Sequence, residues 1–170
     1  MALVTQLRII GQWLNSGDKQ QIAQIFPFPV PDELLTYFGN DTAFNAARAR
    51  DSNATTAATF QQYFKEISHE LGFKEFARVF QRMQVNRLLY QDSIEYDAIK
   101  KKELCYSFYM IRIEEDSLVQ ITYGINSRKD YDGPETKDPD FDISMCEHDT
   151  FWEFVFDGQR LRFIRNSAAG

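Results

Sequence analysis

Few side chains in this sequence are of the kinds that perform chemistry. Two histidines and two cysteines are present. His148 stands in Cys146-Glu147-His148-Asp149, where Cys146 and His148 project alike only if the chain is extended. A metal there would need ligands from elsewhere, and the sequence holds no second Cys/His cluster, so no metal and no cofactor are expected. A Cys146–His148 nucleophile pair would lack a third group to orient it. His69 lies off the apolar stripe of a helical stretch, beside Lys65 and Glu66, and reads as a surface residue. Phosphate-binding glycine loops and serine elbows are missing as well. No catalytic set is predicted.

Two groups of residues could bind rather than react. Tyr106, Phe108, Tyr123, Trp152 and Phe154 fall on the dry side of predicted strands and form a candidate pocket. Its tyrosines would be either ligand anchors or core aromatics whose hydroxyls reach backbone partners. The second group is the run from Lys129 to Asp142, with five Asp and one Glu against two Lys. Asp130, Tyr131, Asp132, Glu135, Asp138, Asp140, Phe141 and Asp142 make it acidic and aromatic at once. Such a surface would contact a basic protein, with charge steering association and aromatic rings anchoring it. The alternative is a plain solvated connection. The spacing does not match an EF-hand calcium loop.

Composition agrees with a protein-directed role. The net charge of −6 disfavours a nucleic-acid binder built on phosphate contacts. At 170 residues the chain is long enough for one domain with a substantial aromatic core. Two cysteines are too few for a disulfide scaffold. With neither a leader-like segment nor a membrane-length apolar run, reduced thiols and a cytoplasmic location are the expectation.

The elements that must position these residues follow from periodicity. Leu3, Leu7, Ile10 and Leu14 recur at helical spacing; Gly17 ends that helix and Asp18 caps a second one carrying Ile22, Ile25 and Phe26. The prolines from Pro27 to Pro31 force an extended path. Short helices are expected over Asp32–Phe38 and Thr42–Arg50. Phe60, Phe64, Ile67 and Leu71 stripe a helix opened by Thr56 or Thr59, and Gly72 separates it from another through Phe73, Phe76, Phe80 and Met83. Val85–Tyr90 reads as a first strand and Ser93–Ile99 as a weaker one. Leu104–Ile113 and Leu118–Asn126 fold about Glu114-Glu115-Asp116-Ser117, setting Tyr106 opposite Ile125, Phe108 opposite Tyr123 and Met110 opposite Ile121. Asp157-Gly158 predicts a two-residue hairpin turn, with Trp152 opposite Phe163, Phe154 opposite Leu161 and Glu153 opposite Arg162. The expectation is a single α+β domain over 1–170: helices in 1–84, then a curved antiparallel sheet of four to six strands in 85–166, with a long acidic loop over 127–149.

Three stretches carry a family resemblance. Trp13-Leu14-Asn15-Ser16-Gly17-Asp18 with Ile22 and Phe26 resembles the helix–break–helix opening of the nuclear-transport-factor-2-like (cystatin-like) superfamily. Phe28-Pro29-Val30, leading to Phe60-Gln61-Gln62-Tyr63-Phe64, is similar to its entry into the third helix. Trp152 to Arg165 resembles its C-terminal sheet. Residues 32–56 depart from the pattern. The resemblance implies a cone-shaped fold with an apolar interior. Family members use that cone either as isomerases, dehydratases and cyclases or as binding modules, and immunity proteins use similar small scaffolds. The reading preferred from the sequence is a non-enzymatic binder, an immunity protein neutralising a basic nuclease-type toxin. A small-molecule enzyme or ligand binder using the cone is the alternative.

Overall fold

The N-terminal half is a set of short helices, each stopped by an identifiable residue. A computed structural model describes residues 2–35, 41–100, 103–128 and 146–169. Helix α1 (Ala2–Ser16) buries Val4, Leu7, Ile10 and Leu14 and ends where Gly17 turns to φ +66°. Asp18 accepts the amides of Gln20 and Gln21 and so starts α2 (Lys19–Ala23). The proline stretch then runs extended into a two-residue strand, β1 (Val30–Pro31). Asp32–Leu34 forms one 3-10 turn, and Asp41 caps α3 (Thr42–Arg50). Arg48 of α3 reaches back to Asp32 at 2.9 Å. β1 pairs with β2 (Ala54–Thr55), a strand contact within the region where the sequence shows no strand signal.

The stripe from Phe60 to Leu71 is interrupted. Thr56 caps α4 (Ala57–Gln62), Tyr63 leaves helical geometry, and α5 (Phe64–Glu70) follows. Gly72, at φ +65°, opens α6 (Phe73–Arg82). α6 lies against α1 so closely that a Cβ on Gly11 would stand 2.7 Å from Phe80 Cγ, and only glycine admits that approach.

The expected strand over Val85–Tyr90 is corrected: Val85–Leu89 is a 3-10 helix. Its buried residues, Val85 and Leu88, are spaced by three, which suits three residues per turn and not a strand's alternation. The sheet proper contains β3 (Ser93–Ala98), β4 (Cys105–Ile113), β5 (Leu118–Ser127), β6 (His148–Phe156) and β7 (Leu161–Ala169), antiparallel neighbours in that order. The α+β class and the helices-then-sheet order are as expected.

Two registers differ from expectation, with opposite consequences. In the last hairpin, Phe154 pairs with Phe163 and Phe156 with Leu161. Only Gly158 takes positive φ, whereas a two-residue type I′ turn needs it twice. Asp157 instead accepts the amides of Gln159 and Arg160 at 2.9 and 2.8 Å, and the connection is four residues long. That moves the register by two, so the buried face survives. A bulge at Ile164 then sets Trp152 beside Asn166 and Glu153 beside Arg165. Glu153 forms its ion pair with Arg165, while Arg162 pairs with Asp157 at 2.7 Å.

In the β4–β5 hairpin the shift is by one. Ser117 adopts φ +63° and Glu114 N–H donates to Leu118 O at 2.7 Å, giving a five-residue connection. Tyr106 therefore pairs with Asn126, Phe108 with Gly124 and Met110 with Thr122. A one-residue slip turns every side chain to the other face. Tyr106, Phe108 and Met110 stand half-buried on the face away from the helices, and Tyr109 and Ile111 are buried against them. Phe108 lies across Gly124, whose added Cβ would stand 2.0 Å from Phe108 Cε1.

The space between helices and sheet is filled by aromatic rings. Trp152 is fully buried, stacked on Phe76 at 4.2 Å and edge-on to Phe26, Phe73 and Phe163 at 5.9, 5.5 and 6.3 Å. Phe60 and Phe28 extend the cluster towards α4.

Candidate functional site

The candidate pocket residues are not brought together. Tyr123, Trp152 and Phe154 face the helices, but Tyr106 and Phe108 lie on the opposite side of the sheet. Trp152 and Phe154 are core, with no exposed surface. The cause is the β4 register: both faces of β4 are apolar enough to be buried, so its alternation alone does not choose between them.

What Tyr123 does meet is a polar cluster at one end of the inner face, which the sequence reading missed. Tyr109 lies beside it, ring centroids 5.7 Å apart. From α6, Arg78 Nη1 donates to both carboxylate oxygens of Glu75 at 2.7 Å, which holds the Arg78 pKa above its ordinary value. Burial, then the charge of Glu75, pushes the Tyr123 phenol up, against a hydrogen bond with Ser107. The i,i+3 spacing of Glu75 and Arg78 was the available signal; which sheet residues they meet was not legible without the register. The cluster presents phenols beside a carboxylate already committed to a guanidinium. It can anchor a polar group, but it lacks the free base that proton transfer requires.

Because burial raises the Tyr123 pKa above its ordinary 10.0, folding favours the neutral phenol. The stability from this group is fully present below pH 10 and is lost as pH rises through the folded pKa. Wild-type protein is expected to lose stability above pH 10 more steeply than Tyr123→Phe. Parallel urea titrations at pH 9 and pH 11 check this; identical pH dependence would contradict it.

The other chemical candidates are accounted for. His69 is on the surface, its side chain 88% exposed, and His148 Nε2 lies 3.3 Å from Thr150 Oγ1. Among the described residues no group of His, Cys, Asp and Glu is placed to hold a metal ion. Cys146 is not a thiol: it is bridged to Cys105, the first residue of β4. The expectation of reduced cysteines is corrected, and with it falls one ground for expecting a reducing compartment. No described helix is long and apolar enough to cross a membrane.

The acidic residues Asp130, Tyr131, Asp132, Glu135, Asp138, Asp140, Phe141 and Asp142 lie outside the described residues. The residues on either side of them are informative. Arg128 N–H donates to Leu104 O at 2.9 Å, and Cys146 is bonded to Cys105 with a Cα–Cα separation of 5.5 Å. The described residues that flank the acidic run, Arg128 and Cys146, are thus fastened to Leu104 and to Cys105, the first residue of β4.

No protein-family model matches the chain, and no curated protein or solved structure matches it either. The functional conclusion therefore rests on the geometry.

Among the described residues the most exposed large apolar side chains lie elsewhere. Tyr90, Ile99, Leu89 and Tyr96 are 90%, 55%, 43% and 37% exposed. They flank or belong to β3, an edge strand of the sheet. No residue type marked them out in sequence, because each also fits a core pattern.

Proposed function

We propose that this protein is a non-enzymatic binding module for a basic protein, on a scaffold of the nuclear-transport-factor-2-like kind. An immunity role against a basic nuclease-type toxin is part of the proposal. The observation that carries it is the aromatic interior: Trp152, Phe26, Phe60, Phe73 and Phe76 are buried together between helices and sheet, and an enzyme on such a scaffold would need substrate space there instead. Function then falls to the surface. The described residues on either side of the acidic run, Arg128 and Cys146, are held at Leu104 and Cys105.

The test is kinetic, using the basic protein recovered with this chain from its host. Raising salt from 0.01 M to 0.15 M shortens the Debye length from ~30 Å to ~8 Å, so association slows while dissociation changes less. Replacing Asp130, Asp132, Asp138, Asp140 and Asp142 by Asn is expected to cut the on-rate roughly tenfold, with a smaller effect on the off-rate. Tyr131→Ala and Phe141→Ala are expected to act mainly on the off-rate. Rates insensitive to both salt and the Asp→Asn set would sink the proposal.

A further inference from the structure

The β3 edge of the sheet, unpaired among the described residues, offers a way to hold a basic partner. Asp92 O accepts the Ile113 amide at 2.7 Å, and β3 pairs Ile94 with Ile111 and Tyr96 with Tyr109. Backbone groups alternate sides along an antiparallel strand. Ile94, Tyr96 and Ala98 therefore turn their amides and carbonyls to β4, while Glu95 and Asp97 turn theirs outward. Among the described residues no backbone group meets Glu95 or Asp97 from that side. The Ser93 carbonyl, on the same row, accepts the Gln91 side chain at 2.5 Å.

The side chains on this edge are equally specific. Glu95 and Asp97 project from the face away from the helices, are exposed, and make no ion pair among the described residues. Among the described residues the cations nearby are committed elsewhere: Arg112 lies 3.6 Å from Glu114, Lys100 lies 2.9 Å from Glu103, and Arg82 sits over the Tyr96 ring on the helix side. Tyr96 on the strand and Tyr90 and Ile99 at its ends supply exposed apolar surface. Charges commonly guard an edge strand against self-association, and here they decide what can pair. A second copy joined by two-fold antiparallel pairing would place Glu95 and Asp97 against carboxylates on the same face, which is destabilising. A strand with cations at every second position would be matched in charge and in backbone hydrogen bonds at once.

We propose that the β3 edge is a strand-addition site for an extended basic segment of the partner, with Lys or Arg at alternate positions facing Glu95 and Asp97. This rests on the reading of the protein as a binder of a basic protein, and it names the surface and the backbone conformation of what is bound.

The probe is a labelled eight-residue peptide alternating lysine and valine, followed by fluorescence polarisation. Saturable binding is expected, with the amides of Glu95 and Asp97 becoming protected from hydrogen exchange. Two comparisons isolate the mechanism. N-methylation of alternate peptide amides keeps the charge but removes one row of donors, and should weaken binding about tenfold or more. Glu95→Lys with Asp97→Lys should lose the lysine peptide and gain a glutamate–valine one; both positions are exposed, so the unfolding midpoint should hold. Equal binding of the N-methylated peptide would reduce the effect to charge alone and overturn the proposal. So would lysine-peptide binding unaffected by the charge reversal, or a wild-type dimer that itself protects the Glu95 and Asp97 amides. If the full-length basic partner binds the doubly substituted protein as it binds wild type, the edge assignment falls and the basic-partner reading stands. If neither peptide nor basic protein binds, both fall.

Discussion

Trp152→Ala is expected to lower the unfolding free energy by about 3–5 kcal/mol, the range for large aromatic truncations in cores. The side chain is fully buried and lies against Phe26, Phe73, Phe76 and Phe163. Those rings come from the α2 connection, α6 and β7, so no single element can move in to close the gap. For a domain of this size the melting temperature should fall by roughly 6–20 °C. Trp152→Phe is the control. Trp152 Nε1 meets no acceptor among the described residues, so the smaller ring loses contacts but also removes an unpaired donor, a burden of about 1–3 kcal/mol. It should cost clearly less than the alanine. Equal losses for the two, or a negligible shift for alanine, would show that the interior is not packed around this side chain.

Removing the Cys105–Cys146 bridge is expected to cost about 4 kcal/mol. The two residues are 41 apart in sequence, and the loop-entropy relation for a closure of that length gives this value. Urea titration of the Cys105→Ser, Cys146→Ser double variant against wild type measures it, and wild type in reductant should approach the variant. Thiol titration of the denatured, unreduced wild-type chain should find no free sulfhydryl among the described cysteines. Two reactive thiols, or identical urea midpoints, would contradict the bridge. Loss of the bridge frees Cys146, which follows the acidic run, whereas the Arg128–Leu104 contact still holds Arg128, which precedes it. Partner affinity should therefore weaken less than the Asp→Asn set weakens it. That comparison separates a role in folding from a role in presentation.

Much of this fold is local in origin and was legible residue by residue. Asp18 and Thr56 start helices because their side chains accept the first free amides, and Gly17 and Gly72 interrupt them by taking positive φ. The stripes Leu7–Ile10–Leu14 and Phe73–Phe76 are buried as their spacing requires. Burial of Trp152 and Phe154 was legible too, because a register moved by two residues leaves the inward face unchanged. What periodicity could not supply was an odd shift. Whether Tyr106 and Phe108 or Tyr109 and Ile111 face the helices turns on one extra residue in a connection, where Ser117 accepts a left-handed backbone. Both faces of β4 carry apolar side chains, so hydrophobicity was no guide; Gly124 beneath the Phe108 ring was the one sequence signal of the true pairing. The bridge between Cys105 and Cys146 and the grouping of Glu75, Arg78 and Tyr123 depend on that same register. The outward row of amides at Glu95 and Asp97 depends likewise on how β3 pairs with β4. Each joins residues distant in sequence, and short-range propensity is blind to such contacts until the strands are aligned.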